Sequence, residues 1–238
     1  HPATIRRQRQ MCIRDRYHAG SEPQAYYPSK KMFRIKYRKL GLLLLCASLL
    51  NACAHRAKPQ NIDDVCAIFR ENPRWYHEIK DSIERWGGPM HVPMSIIYQE
   101  SGFRAGAKPK MQYFLGVIPT GRPSDAYGYA QALKSTWREY ESAVGSRSPD
   151  RDDFGDAVDF VLWYMDVSYK RNAVSKWDAY AQYLNYHEGQ GGYSRGSHLK
   201  KPWLINTAKR VDARAKRFAT QLGQCRAELE SMKRGWFW

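Results

Sequence analysis

Between Leu204 and Cys225, seven residues (Leu204, Ala208, Val211, Ala215, Phe218, Leu222 and Cys225) recur at intervals of four and three. That spacing stacks side chains on one face of an α-helix, so the segment must find an apolar partner for its stripe. The helical period returns upstream. Pro73 opens a run in which Tyr76, Ile79, Ile83 and Trp86 share a face before Gly87-Gly88-Pro89 stops it. Phe154, Val158, Val161, Leu162, Met165 and Tyr169 mark a helix over 154–171, and shorter ones are expected around Ile62, Cys66 and Phe69 and over 94–100, 135–144 and 176–187. A Gly-rich turn should follow at 189–196. There is no internal repeat and no run of β-branched alternation that would build a large sheet. The fold class is therefore mainly α, with one exception. Residues 104–127 are punctuated by Gly and Pro, including Pro119-Thr120-Gly121-Arg122-Pro123, and should form a long loop or a small irregular hairpin. Loops of that length inside compact domains are usually functional.

The N-terminal part sets the compartment. Arg34, Lys36, Arg38 and Lys39 precede an apolar run from Leu40 to Leu50, too short to span a bilayer but suited to a signal sequence. The run ends in Leu50-Asn51-Ala52-Cys53, which resembles the lipobox of bacterial lipoproteins, where the Cys carries diacylglycerol. Ala54 after it implies sorting to the outer membrane, facing the periplasm. The expected organisation is a leader at 1–31 that is not part of the native protein, a signal peptide at 32–52, a polar tether at 53–61 and one domain at 62–238. That domain is long enough for a hydrophobic core. Cys66 and Cys225 are then the only two thiols of the mature domain, and an isolated pair in an oxidising periplasm invites a disulfide.

The formal charge of +16 is concentrated at the N-terminus; from Cys53 onward 28 Lys and Arg face 21 Asp and Glu, leaving +7. Such a surface favours anionic partners without choosing among nucleic acid, acidic membrane and the peptidoglycan wall. A signal sequence removes most nucleic-acid roles.

Chemistry enters at Ile96-Ile97-Tyr98-Gln99-Glu100-Ser101-Gly102-Phe103, where an apolar helix delivers a carboxyl group at its C-terminal end. Apolar neighbours and the negative end of the helix dipole both disfavour the carboxylate, which is what a general acid needs near neutral pH. Two further segments follow in order: Tyr127-Gly128-Tyr129-Ala130-Gln131-Ala132 just before a helix, and Asn185-Tyr186-His187-Glu188-Gly189-Gln190-Gly191-Gly192-Tyr193. Together the three resemble the signatures of soluble lytic transglycosylases with the goose-lysozyme-like fold, Glu-Ser-x-Phe, Gly-Leu-Met-Gln and Ala-Tyr-Asn-Ala-Gly-x-Gly. The Tyr-His-Glu-Gly-x-Gly-Gly-Tyr run also resembles a lipoprotein subgroup of that superfamily. Here Tyr129-Ala130 replaces Leu-Met, His187 and Glu188 replace Asn and Ala, and the loop from Glu100 to Gly128 is longer than usual.

The resemblance implies a lysozyme-like α-helical domain with Glu100 as the catalytic acid and base and peptidoglycan glycan strands as partner. It implies that Ser101 orients Glu100 and the sugar, that Gln131 touches substrate from the cleft wall, that Tyr186 hydrogen-bonds the Glu100 carboxyl, and that His187 lines the site. No cofactor or metal is implied. The reaction expected is cleavage between N-acetylmuramic acid and N-acetylglucosamine with closure of a 1,6-anhydro ring. A hydrolytic muramidase on the same fold is the first alternative, with Asp125 and Glu188 as candidate second carboxylates, and a non-catalytic wall-binding lipoprotein is the second. Trp163 and Trp203 lie in or beside apolar helical patterns and are expected in the core. The Lys209, Arg210, Arg214, Lys216 and Arg217 cluster reads as a solvated face.

If Cys53 is acylated, Cys53→Ala should move the protein from the membrane to the soluble periplasmic fraction, because acyl chains contribute about 0.8 kcal/mol per buried methylene. Fractionation that finds the variant still on the membrane would count against lipidation.

Overall fold

The computed structural model describes residues 58–145 and 148–232. The leader at 1–31, the signal segment at 32–52 and Cys53 lie outside them. Among the described residues there are seven α-helices: α1 (Val65–Glu71), α2 (Pro73–Trp86), α3 (His91–Ser101), α4 (Lys134–Val144), α5 (Phe154–Asn172), α6 (Ala179–Ser194) and α7 (Pro202–Ser231). A short 3₁₀ turn, Ser197–Lys200, joins the last two. The segment between α3 and α4 carries a two-stranded antiparallel hairpin, β1 (Gln112–Phe114) with β2 (Ile118–Gly121), whose register slips between Gln112 and Tyr113. The described residues adopt the expected mainly α architecture, and of the long loop or small irregular hairpin expected over 104–127 they form the hairpin.

Local chemistry explains most helix ends. Asp64, Asp153 and Asp178 accept hydrogen bonds from backbone N–H groups in the first turns of α1, α5 and α6, while Pro73 and Pro202 open α2 and α7. Gly102 ends α3 in the left-handed conformation, with its N–H donating to the Tyr98 carbonyl.

α7 is the long spine. All seven residues of its four-three stripe are buried, and Leu229 extends the stripe by another turn. Burying a side chain of Leu, Val or Phe size contributes about 1.5–3 kcal/mol each, so a polar residue at Phe218 would break the contact at its middle. Against α7 pack α1, α3 and α6. α3 also touches α5 and α6, and every residue from Val92 to Ile97 is buried. α5 is nearly as enclosed and holds α2 on its other side. The disulfide forms as expected: Cys66 on α1 is bonded to Cys225 on α7, with Cα atoms 6.2 Å apart.

Four expectations are corrected. The Gly-rich segment is not simply a turn: α6 runs to Ser194 across a kink at Gly189, whose φ of 72° and ψ of 156° only glycine adopts cheaply. Gly192 stays helical, and a Cβ there would meet Ser197 Oγ and Glu188 Cβ at 3.1 Å, so that glycine serves close packing. α6 begins at Ala179 rather than 176, because Asp178 supplies the cap while Lys176 is drawn off to the Trp86 carbonyl and, at 2.6 Å, to Asp166. Trp203 is 56% exposed, since it flanks the stripe instead of joining it, whereas Trp163 is buried. Within the basic cluster, Arg214 is partly buried with its guanidinium 3.5 Å above the Tyr98 ring; Lys216 and Arg217 instead pair with Asp212 and Asp63.

The disulfide closes a loop spanning 159 positions, so its removal should release a large amount of unfolded-chain entropy. Cys225→Ser is expected to lower stability by up to about 5 kcal/mol in the chain-entropy model. Thermal unfolding of the two proteins, with and without reductant, measures this; an unchanged midpoint in both would refute it.

Candidate active site

Glu100 occupies the last turn of α3, and the residues after it explain why the turn ends there. Ser101 is buried with its hydroxyl donating to the Ile97 carbonyl at 3.2 Å, a bond inside the helix. Gly102 and Phe103 both take positive φ, 58° and 59°. For Phe103 that conformation carries strain, which burial of its ring offsets: the ring is fully enclosed and stacks against Trp75 at 6.1 Å. The chain thus turns sharply away directly after Glu100, leaving the carboxyl at the open end of a buried helix.

The carboxyl is pushed up to about 7 by burial, and a hydrogen bond from the Tyr183 hydroxyl opposes this only in part. Tyr183, on α6, is itself raised far above the ordinary phenol range by burial and by the Glu100 charge, so it stays protonated as a donor. Tyr186, one turn further along α6, is shifted upward by burial and by the same carboxyl. Its hydroxyl, however, donates at 2.6 Å to the Ala130 carbonyl. The expectation that Tyr186 holds Glu100 is therefore corrected: a phenol has one proton, and here Tyr183 gives its proton to the carboxyl while Tyr186 fastens the second signature segment to the third. Tyr183 was legible as helical and aromatic, but it lies outside the third signature, which singles out Tyr186 instead.

The second segment is a tight turn closed by a bridge between Tyr127 and Ala132. Gly128 has φ 81°, and a Cβ there would lie 1.8 Å from the Arg151 carbonyl, so no other residue fits. Gln131 is also left-handed at φ 50°, with Nε2 donating to the Ala107 and Gly128 carbonyls at 2.9 Å each. Both amide protons thus brace the turn, leaving the carbonyl oxygen as the end suited to a substrate donor. Tyr129 packs edge-on against Trp75 and Phe154 at 5.6 Å, tying the turn to the same aromatic core as Phe103.

His187 is partly exposed; its Nδ1 lies 3.1 Å from Glu188 and its ring meets Trp203 edge-on at 5.1 Å. Glu188 is almost wholly buried. Burial would raise its pKa, but bonds from Lys201, Ser197 and His187 outweigh burial and hold the carboxyl down to about 2. Asp125 accepts from the Lys134 backbone N–H at 3.2 Å, in the manner of a cap. Glu188 thus lacks the raised pKa of Glu100.

One further carboxyl is raised to about 7 by burial: Glu78, in a cleft of about 700 Å³ between α2 and the start of α5. It pairs with Arg74 on the same helix and packs where a Cβ on Gly155 would stand 2.8 Å from its Cδ. Of the three signature segments, only Tyr129 lines that cleft, so Glu78, whose pairing with Arg74 opposes the upward shift from burial, is read as a structural residue.

A family model described as the transglycosylase SLT domain matches residues 41–225. Comparison with curated proteins and with solved structures gives no match. The matched range contains all three signature segments and every helix up to the Cys225 end of the α7 stripe. The hydrogen bonds from Tyr183 to Glu100 and from Tyr186 to Ala130 draw those segments into one site. The chain accordingly belongs to the transglycosylase SLT domain family, within the lysozyme-like superfamily of peptidoglycan lytic transglycosylases.

Proposed function

We propose that the protein cleaves the β-1,4 bond between N-acetylmuramic acid and N-acetylglucosamine and leaves 1,6-anhydro-N-acetylmuramic acid ends, with Glu100 as both acid and base. The observation that carries this reading is the Glu100 carboxyl, half-buried at a helix end, raised to about 7 and held by a phenol that keeps its own proton. A group titrating there is protonated often enough to donate to the glycosidic oxygen and, once ionised, basic enough to take the proton of the muramoyl 6-hydroxyl. That hydroxyl then attacks its own anomeric carbon, an intramolecular step that needs no positioned water. The leaving N-acetylglucosamine carries away the first proton, and Glu100 ends in its starting state.

Tyr183 is the positioning residue for Glu100. Gln131 presents its carbonyl oxygen to the glycan from the braced turn, and Tyr186 holds that turn through Ala130. Ser101 acts through the helix end and not on the sugar, since its hydroxyl is committed to Ile97. His187 and exposed Trp203 offer an aromatic pair for a sugar face. Glu188, tied to Lys201, gives no support to a hydrolytic reading. In the cell this chemistry is placed at the outer membrane through acylated Cys53.

Glu100→Gln is expected to abolish cleavage of purified sacculi while leaving their binding intact, because the amide keeps the shape but moves no catalytic proton. Muropeptide mass spectrometry should find the wild-type products one water lighter than hydrolytic fragments and resistant to borohydride. Reducing ends would make the enzyme a lysozyme, and an active Glu100→Gln would remove the site.

The acid step requires protonated Glu100, so turnover should fall as pH rises through about 7. The Tyr183 bond stabilises the carboxylate. Its loss in Tyr183→Phe should therefore raise the Glu100 pKa and move the alkaline limb to higher pH, while lowering turnover by about tenfold to a hundredfold. A pH–rate profile of kcat for both enzymes tests this; an unmoved alkaline limb in Tyr183→Phe would show that the phenol does not act on Glu100.

A further inference from the structure

We propose that the β1–β2 hairpin is a membrane-contacting element whose tip enters the interface of an anionic phospholipid bilayer. Every residue from 110 to 120 is exposed. Five of the six positions from Tyr113 to Ile118 are large and apolar, with Leu115 79% and Val117 75% exposed. A run of this kind on a soluble surface signals a binding partner.

The form of the hairpin indicates which partner. Successive residues of a strand point to opposite faces, so Tyr113 and Phe114 make both faces of β1 apolar. A groove on another protein would cover one face of the ribbon, whereas hydrocarbon covers both. A glycan would need hydrogen-bonding groups, and among side chains 113–118 only the Tyr113 hydroxyl offers one. The flanks are cationic: Lys108 and Lys110 precede β1 and Arg122 follows β2, and no Asp or Glu occurs between Phe103 and Ser124. Two of these cations are held at the base, Lys108 with its Nζ 5.2 Å from the centre of the Tyr127 ring and Arg122 donating to the Pro109 carbonyl. An apolar tip above a basic collar complements an anionic lipid surface.

Depth follows from the backbone. A two-stranded ribbon has two open edges whose N–H and C=O groups cannot be left unsatisfied in hydrocarbon. Insertion is therefore shallow, with the turn at Leu115-Gly116-Val117 among the upper acyl segments, the Tyr113, Phe114 and Ile118 side chains reaching toward the same depth, and the strand backbone at headgroup level, where water reaches its open edges. Pro119 removes one backbone donor from β2.

The test is photocrosslinking of the full chain reconstituted with vesicles of phosphatidylethanolamine and phosphatidylglycerol. A benzophenone amino acid replaces Leu115 in one sample and the exposed Trp177 in another. Acyl-chain adducts are expected at position 115 and not at 177. Their yield should fall about tenfold when phosphatidylcholine replaces phosphatidylglycerol, and similarly when Lys110→Glu is added to the Leu115 probe. Equal lipid labelling at both positions, or labelling indifferent to phosphatidylglycerol, would overturn the proposal. So would adducts confined to a second copy of the chain, or to glycan when sacculi are supplied.

Discussion

The structure depends on burying α3 between α5, α6 and α7. A helix enclosed along most of its length has no solvated face on which to place a charge, and this one still carries a Glu in its last turn. The cost of putting a carboxylate there is what raises Glu100 to about 7. The stripe of α7, the Cys66–Cys225 bond and the enclosure of α5 fix the helices that make this environment apolar. The raised pKa of Glu100 is therefore a product of the core, and rigid packing keeps the carboxyl in place.

A second theme is the division of labour between two tyrosines one turn apart on α6. Both are desolvated and both feel the Glu100 charge, so neither ionises near neutral pH. Tyr183 uses its proton on the carboxyl, and Tyr186 uses its proton on a backbone carbonyl of the Gly128 turn. One helix thus holds both the Glu100 carboxyl and the turn that carries Gly128 and Gln131. Left-handed residues supply the sharp corners: Gly102 and Phe103 beyond Glu100, and Gly128 and Gln131 in the turn. Phe103 and Tyr129 meet at Trp75, so one aromatic cluster underlies both corners.

Much of this was legible in the chain. Helical periods placed α2, α5 and α7 because their apolar faces are wide and bounded by Pro, Gly or Asp, and the Gly/Pro density of 104–127 marked an irregular segment that became the hairpin. Three short motifs in order marked Glu100, Gln131 and the α6 segment. The position of Trp203 was not legible, because one step of phase around a helix separates a stripe residue from an exposed neighbour. The run from Gly189 was read as a turn because the sequence alone does not separate a glycine needed for φ from one needed for close approach.

By itself the sequence determined the helical class, the pairing of Cys66 with Cys225, the family, and a carboxyl at the end of an apolar helix, because these rest on local period, composition and short-range order. Tertiary structure alone decided which phenol holds that carboxyl. It also decided that Glu188 is neutralised by Lys201, that Ser101 turns inward, and that the tip of the hairpin stands uncovered. Each of these depends on which groups from distant parts of the chain come within hydrogen-bond reach or fail to. A difference of one helical turn, from Tyr183 to Tyr186, leaves the sequence pattern unchanged but redirects the proton.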